Sequence, residues 1–176
     1  MIKKWKEFIF EGIKHKFGCV MVKVPIKNWE NTTKMIDKSD IYIDKSDPSY
    51  GIETDPHVTL LFGLKDGVSL DNVKEKLKKY PPVEIIIDGV DIFENDQFDV
   101  VKFNVKKTKQ LESMFQSLSE LPNENEFQEY KPHITICYVN KGSGKKYIKK
   151  VNKNLGHLDT IELSHPSGEK DIFKLV

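Results

Sequence analysis

Glu53-Thr54-Asp55-Pro56-His57-Val58-Thr59-Leu60-Leu61-Phe62 is answered further along the chain by Glu129-Tyr130-Lys131-Pro132-His133-Ile134-Thr135-Ile136-Cys137-Tyr138. Glu, Pro, His and Thr recur in register. So do a β-branched residue between His and Thr, an aliphatic residue after Thr and an aromatic ring at the end. The offset is 76 residues in a chain of 176. With only seven threonines present, chance would produce two Pro-His-x-Thr runs roughly once in ten thousand such chains or less, so the pair is read as an internal repeat.

Both runs have the alternating, β-branched pattern of half-buried strands. Residues two apart on a strand share a face. His57 and Thr59 therefore point one way and Val58 and Leu60 the other; His133 and Thr135 are set against Ile134 and Ile136 in the same way. The apolar side is core. Two similar lobes packed about a pseudo-two-fold axis would place the strands side by side, with two imidazoles and two hydroxyls lining one cleft. Pro56 and Pro132 stand at the strand entries, where no ladder N–H is needed.

Such a cleft suits phosphoryl chemistry. Imidazole titrates near neutrality, so one ring can take a proton while the other gives one. Threonine hydroxyls can donate to the non-bridging oxygens of a phosphate as charge builds there. The catalytic candidates are His57, Thr59, His133 and Thr135, acting on a phosphodiester attacked by water or a ribose 2′-hydroxyl. Which histidine is the base is left open.

Working outward, apolar spacing predicts helices over residues 2–16, from near Pro25, and over 69–80, 109–121 and 145–155. Strands are expected at 17–24, 57–62, 83–93, 97–105 and 133–139, with a final hairpin of 158–164 and 172–176 around Pro166-Ser167-Gly168. Residues 41–56 read as loop. Helices and strands that alternate and then pair as hairpins argue for an α+β fold with largely antiparallel sheets, in one domain over residues 1–176.

Composition narrows the partners. The balance of 28 basic against 27 acidic residues leaves a net charge of +1, which argues against duplex DNA. Every basic residue is lysine, and the chain contains neither arginine nor alanine. A bound phosphate is therefore not gripped by a guanidinium fork. It is held by hydroxyls, backbone N–H groups, histidines or lysine point charges. Cys19 and Cys137 cannot build a disulfide framework and suit a reducing compartment. No CxxC, HExxH or clustered His/Cys spacing appears, so neither metal nor cofactor is expected. No apolar run approaches the roughly 18 residues of a membrane span, and the N-terminal apolar stretch is too short for a signal peptide. Residence in the cytoplasm is expected.

Other residues carry weaker signals. His15, His157 and His165 lack the motif and read as surface or loop. Tyr50, in the loop before the first motif, is a candidate lid or base-stacking residue. The lysines at 145, 146, 149, 150 and 153 form a solvated face or steer substrate. Cys137 is placed on the apolar side and is not taken as a nucleophile.

Paired His-x-Thr-hydrophobic motifs half a chain apart resemble the two-histidine (2H) phosphoesterase superfamily. The resemblance implies a bilobal, LigT-like α+β fold, with two antiparallel sheets flanking a central cleft and helices outside. It also implies metal-independent hydrolysis with His57 and His133 as the acid/base pair and Thr59 and Thr135 on the phosphate. The run from Tyr50 to Leu64 looks like the first motif of phage-encoded members, some of which are anti-CBASS nucleases. That likeness implies a cyclic di- or trinucleotide immune signal as substrate and a linear product. It also implies a base held by a C-terminal Glu, for which Glu162 is the candidate, and an aromatic near the first strand, for which Phe17 is offered. A 2H enzyme acting on 2′,3′-cyclic phosphates of short RNA, and a non-catalytic nucleotide sponge, are the competing readings.

Overall fold

The computed structural model describes residues 16–27, 29–126 and 129–176. The helix expected over residues 2–16 and His15 lie outside the described residues. Eight strands form two antiparallel four-stranded sheets. The first contains β1 (Gly18–Lys23), β2 (His57–Leu64), β7 (Thr160–Ser164) and β8 (Lys170–Lys174), in the order β2-β1-β7-β8. The second contains β3 (Val83–Glu94), β4 (Phe98–Val105), β5 (His133–Asn140) and β6 (Lys149–Leu158), in the order β5-β4-β3-β6. The first sheet draws on both ends of the chain and the second on its middle. The chain changes sheet at Asp159, whose carbonyl accepts from Leu175 N at 2.8 Å.

Three α-helices accompany the sheets among the described residues: α1 (Trp29–Thr33), α2 (Leu70–Leu77) and α3 (Lys109–Ser119). Ser69 caps α2 in a reciprocal pair with Asn72, and the Thr108 hydroxyl accepts from Leu111 N to cap α3, satisfying N–H groups the helix cannot. Val73 and Leu77 of α2 and Leu111, Met114 and Leu118 of α3 join one core with Val58, Leu60, Ile134 and Ile136 of the motif strands. Each such side chain contributes about 1.5–3 kcal/mol by leaving water. The core thus covers one face of β2 and β5 and leaves the histidine face outside it. No helix among the described residues is long and apolar enough to cross a membrane.

One expected element is different. Residues 145–155 do not form a helix. A 3-10 turn (Gly144–Tyr147) leads instead into β6, which pairs with β3 from Val83↔Leu158 to Val90↔Lys149. The lysine spacing imitates a solvated helix face, but Asn152, Asn154 and Gly156 are poor helix formers. An edge strand studded with lysine is a common guard against sheet-to-sheet aggregation.

β2 and β5 are edge strands of their sheets and approach within 8 Å, Cα to Cα. Tyr130, just before β5, reaches across and donates its hydroxyl to Thr59 O at 3.0 Å. Residues 41–53 run along the free edge of β5. Tyr42 N and Glu53 N donate to the carbonyls of Tyr138 and Ile136 at 2.9 and 3.0 Å, and Tyr138 N donates to Gly51 O at 2.8 Å. Gly51 has φ +103°, a backbone conformation that side chains disfavour. Replacing Tyr130 with Phe removes the link between the motif strands and orphans a carbonyl. Urea unfolding of Tyr130→Phe is expected to show a loss of about 1–2 kcal/mol at unchanged m-value; an unshifted midpoint would show that the bond holds nothing together.

Candidate active site

Each motif histidine is fixed by the backbone just before it. His57 Nδ1 lies 2.8 Å from Asp55 O, and His133 Nδ1 lies 2.8 Å from Lys131 O. A carbonyl can only accept, so Nδ1 carries the hydrogen in both rings and Nε2 is the working nitrogen. The proline between carbonyl and histidine restricts its own φ and the residue before it, which folds the carbonyl back toward the ring. The proline carbonyls also match. Pro56 O accepts from Val24 N at 3.0 Å, and Pro132 O accepts from Val105 N at 3.1 Å. The repeat is therefore structural as well as sequential.

Both strands bulge just after the threonine. Val20 and Met21 face Leu61 and Thr59, leaving Leu60 without a partner. Val101 and Lys102 face Cys137 and Thr135, leaving Ile136 likewise. A bulge reverses the alternation beyond it. Leu61 and Cys137 therefore join the core, and Tyr138 returns to the histidine face, in a separate cluster with Phe98 and Val100. Strict alternation from His133 would have put Cys137 on the histidine face. It lies on the apolar side because of the bulge, and burial there raises its thiol to about 12.

The structure places His57, Thr59, His133 and Thr135 on neighbouring edge strands. Thr59 and Thr135 are half-buried, as is His57, whereas His133 is 8% exposed. Burial pushes the His133 pKa down to about 4, assisted by the positive charges of Lys102 and His57 and opposed by the bond to the Lys131 carbonyl. The Phe93 ring stands edge-on to the His133 imidazole at 4.9 Å between centroids. The neutral form of His133 is the one this pocket favours.

Glu162 lies on β7, opposite Met21, and is 3% exposed. Its carboxylate is 3.2 Å from Lys23 Nζ and 3.0 Å from Lys170 Nζ. Lys23 in turn bonds to Asp55, the residue whose carbonyl holds His57. Tyr50 packs its ring against Tyr42, Phe98 and Tyr138 at 5.2, 5.1 and 5.4 Å, on the face that carries His133. Phe17 is buried edge-on to Phe62 at 6.1 Å. His165 bonds to Asp171 at 2.8 Å in the last hairpin, and His157 lies on β6 opposite Glu84. Sequence reading passed over Lys102, Phe93 and Asp91. The signal was available: Lys102 is the lone cation of β4 (Phe98–Val105), a hairpin strand otherwise dominated by Val and Phe. Among the described residues no group of three or more His, Cys, Asp or Glu side chains is arranged to hold a metal ion.

Comparisons with known proteins agree with this fold. The sequence model of the 2′-5′ RNA ligase superfamily matches residues 29–161. A search of curated proteins finds no match. Among solved structures, Kluyveromyces marxianus Usb1 superposes with a TM-score of 0.58 at 7% identity, over 92% of this chain and 99% of that one. E. coli LigT complexed with 3′-AMP gives 0.54 at 12% identity, over 92% and 95%. A crystal structure of a phosphoesterase gives 0.51 at 13% identity, over 92% and 96%. The chain has their fold, and by the span and the two His-x-Thr strands that the match covers it belongs to the 2′-5′ RNA ligase superfamily, the two-histidine phosphoesterases.

Proposed function

We propose that the protein is a metal-independent phosphodiesterase that linearises cyclic di- and trinucleotide signals of the kind that trigger CBASS immunity in bacteria. The observation that carries the chemistry is the pair of imidazoles on neighbouring edge strands, each with Nδ1 bound to a backbone carbonyl, which makes Nε2 the nitrogen that exchanges protons. The likeness of residues 50–64 to phage anti-CBASS nucleases points to the cyclic substrate. Tyr50, in its aromatic cluster, and Glu162, in the opposite sheet, are the proposed contacts to the bases.

His133, buried beside Phe93 and Lys102, is the base. Its neutral Nε2 takes the proton from a ribose 2′-hydroxyl, whose oxygen attacks the adjacent phosphorus. The P–O5′ bond breaks, and His57 protonates the leaving oxygen. Thr59 and Thr135 donate to the non-bridging oxygens, where negative charge gathers. A 2′,3′-cyclic phosphate results, and water opens it with the two histidines exchanging roles.

The second reading, a phosphodiesterase acting on RNA ends, has support from relatives of the same fold. One holds uridine monophosphate and another 3′-AMP. Chromatography after incubation with cyclic dinucleotides, cyclic trinucleotides and RNA bearing a 2′,3′-cyclic end, all in EDTA, separates the two. Linear products from the rings support the first reading; turnover of the RNA ends alone supports the second. Rings that are bound and recovered whole after denaturation would identify a sponge, and activity that chelator abolishes would overturn the scheme.

His57→Ala and His133→Ala are each expected to lower kcat by about 10²–10⁴, and Thr135→Val by about 10². Wild-type rates in the double histidine variant would end the proposal. Because the His133 pKa is lowered to about 4, the base stays neutral down to that pH. The acidic limb of kcat/KM is therefore expected near pH 4, well below the ordinary imidazole value of about 6.5. An acidic limb near 6.5 would remove His133 from the role of base.

A further inference from the structure

Each sheet carries a lysine on its histidine face, and the two are neutralised unequally. Lys23, opposite His57, is held between the carboxylates of Asp55 and Glu162. Lys102, opposite Thr135, is the more deeply buried, with a side chain 5% exposed. Its ammonium donates to Asn104 Oδ1 and lies 4.3 Å from the centre of the Phe93 ring. The carboxylate paired with it, Asp91, is 3.9 Å away and 47% exposed. Burial disfavours the charge on Lys102, Asp91 supports it and Lys131 opposes it. A cation removed from water is costly unless an anion meets it, and a half-solvated carboxylate at the limit of an ion pair offsets little. Asn104, its hydrogen-bond partner, is the β4 residue that pairs with His133.

We propose that Lys102 is the cation of the phosphate subsite, its ammonium binding a non-bridging oxygen of the scissile phosphate from its place across the ladder from Thr135. The proposal rests on the reading of the His/Thr cleft given above and adds to it the positive charge that a protein without arginine must find elsewhere. Lysine supplies a point charge rather than a fork, which suits an oxygen already met by a threonine hydroxyl. The same ammonium repels a proton on His133. When a phosphate arrives, its charge offsets that repulsion, and the imidazole gains proton affinity at the step in which it accepts a proton.

Lys102→Met and Lys102→Arg in the full chain test this, with folding checked by circular dichroism and thermal unfolding. Lys102→Gln, which leaves Asn104 a polar partner, carries the same measurements should the methionine variant not fold. The melting temperature of Lys102→Met is expected to equal or exceed that of wild type, since a poorly neutralised buried charge is gone. Inorganic phosphate, followed by NMR of the His133 ring, is expected to bind at least tenfold more weakly. The His133 pKa is expected to rise, with burial still holding it below 6.5, and kcat/KM on a phosphodiester to fall by 10–10²-fold, with Lys102→Arg recovering part of the phosphate affinity. A folded Lys102→Met that binds phosphate like wild type and leaves the His133 titration unmoved overturns the proposal. Failure of the underlying reading looks different: His57→Ala and His133→Ala would then turn over the phosphodiester at the wild-type rate, while the phosphate titration still reports on Lys102 alone.

Discussion

The bond from each catalytic-candidate imidazole to the carbonyl two residues before it is the constraint on which the site depends. It fixes ring orientation and tautomer with backbone alone, at 2.8 Å in both strands. Many sites orient a histidine with a side-chain carboxylate. A carbonyl does this without adding charge, so the polarity of the surroundings is left to set the proton affinity of each ring. The proline makes the arrangement local. It confines the chain at strand entry and passes its own carbonyl to the neighbouring strand, at Val24 in one sheet and Val105 in the other. Ring, turn and ladder are thus one unit, and the chain uses it twice.

The paired bulges explain a second feature of the repeat, the aromatic residue three positions after each threonine. Three residues along a regular strand would put that ring on the core face. The extra residues Leu60 and Ile136 reverse the phase, so Phe62 and Tyr138 leave the core and Leu61 and Cys137 enter it. Tyr138 then packs with Phe98, Tyr50 and Tyr42, and residues 41–53 fasten over the exposed edge of β5. The unpartnered carbonyl of Ile136 is met by Glu53 N. An edge that could otherwise recruit another chain instead holds the loop that leads into His57.

Much of the site was legible because it is local. Two-residue periodicity put His and Thr on one face, and the helix beginning at Ser69 and the β3–β4 hairpin follow from short-range chemistry. What could not be read depends on distant partners. The lysines of β6 suit a helix until β3 offers them a ladder. The bulges exist only when two strands are in register, which is why strict alternation misplaces Cys137 even though its burial was foreseen. The burial of Glu162, and its engagement with Lys23 and Lys170, depend on β7 returning from the C-terminal end of the chain to pair with β1. No periodicity announces that return, since it reflects the pairing of sequence-distant strands.

The two lobes repeat in backbone and differ in charge, and that difference is what a two-proton reaction needs. In the ladder, Lys102 occupies the position that Met21 holds in the other sheet, Asn104 that of Lys23, and Asp91 that of Glu162. One histidine therefore stands near a lysine tied to two carboxylates. The other stands near a lysine with little to neutralise it and against the edge of a phenylalanine ring. Two imidazoles in identical surroundings would compete for the same protonation state, and half the molecules would carry it on the wrong ring. In the proposed reaction, unequal surroundings would separate the proton acceptor from the proton donor before substrate arrives. On the proposed mechanism, symmetry of the backbone would bring the two rings to one phosphate, and asymmetry of the neighbouring side chains would assign each ring its part.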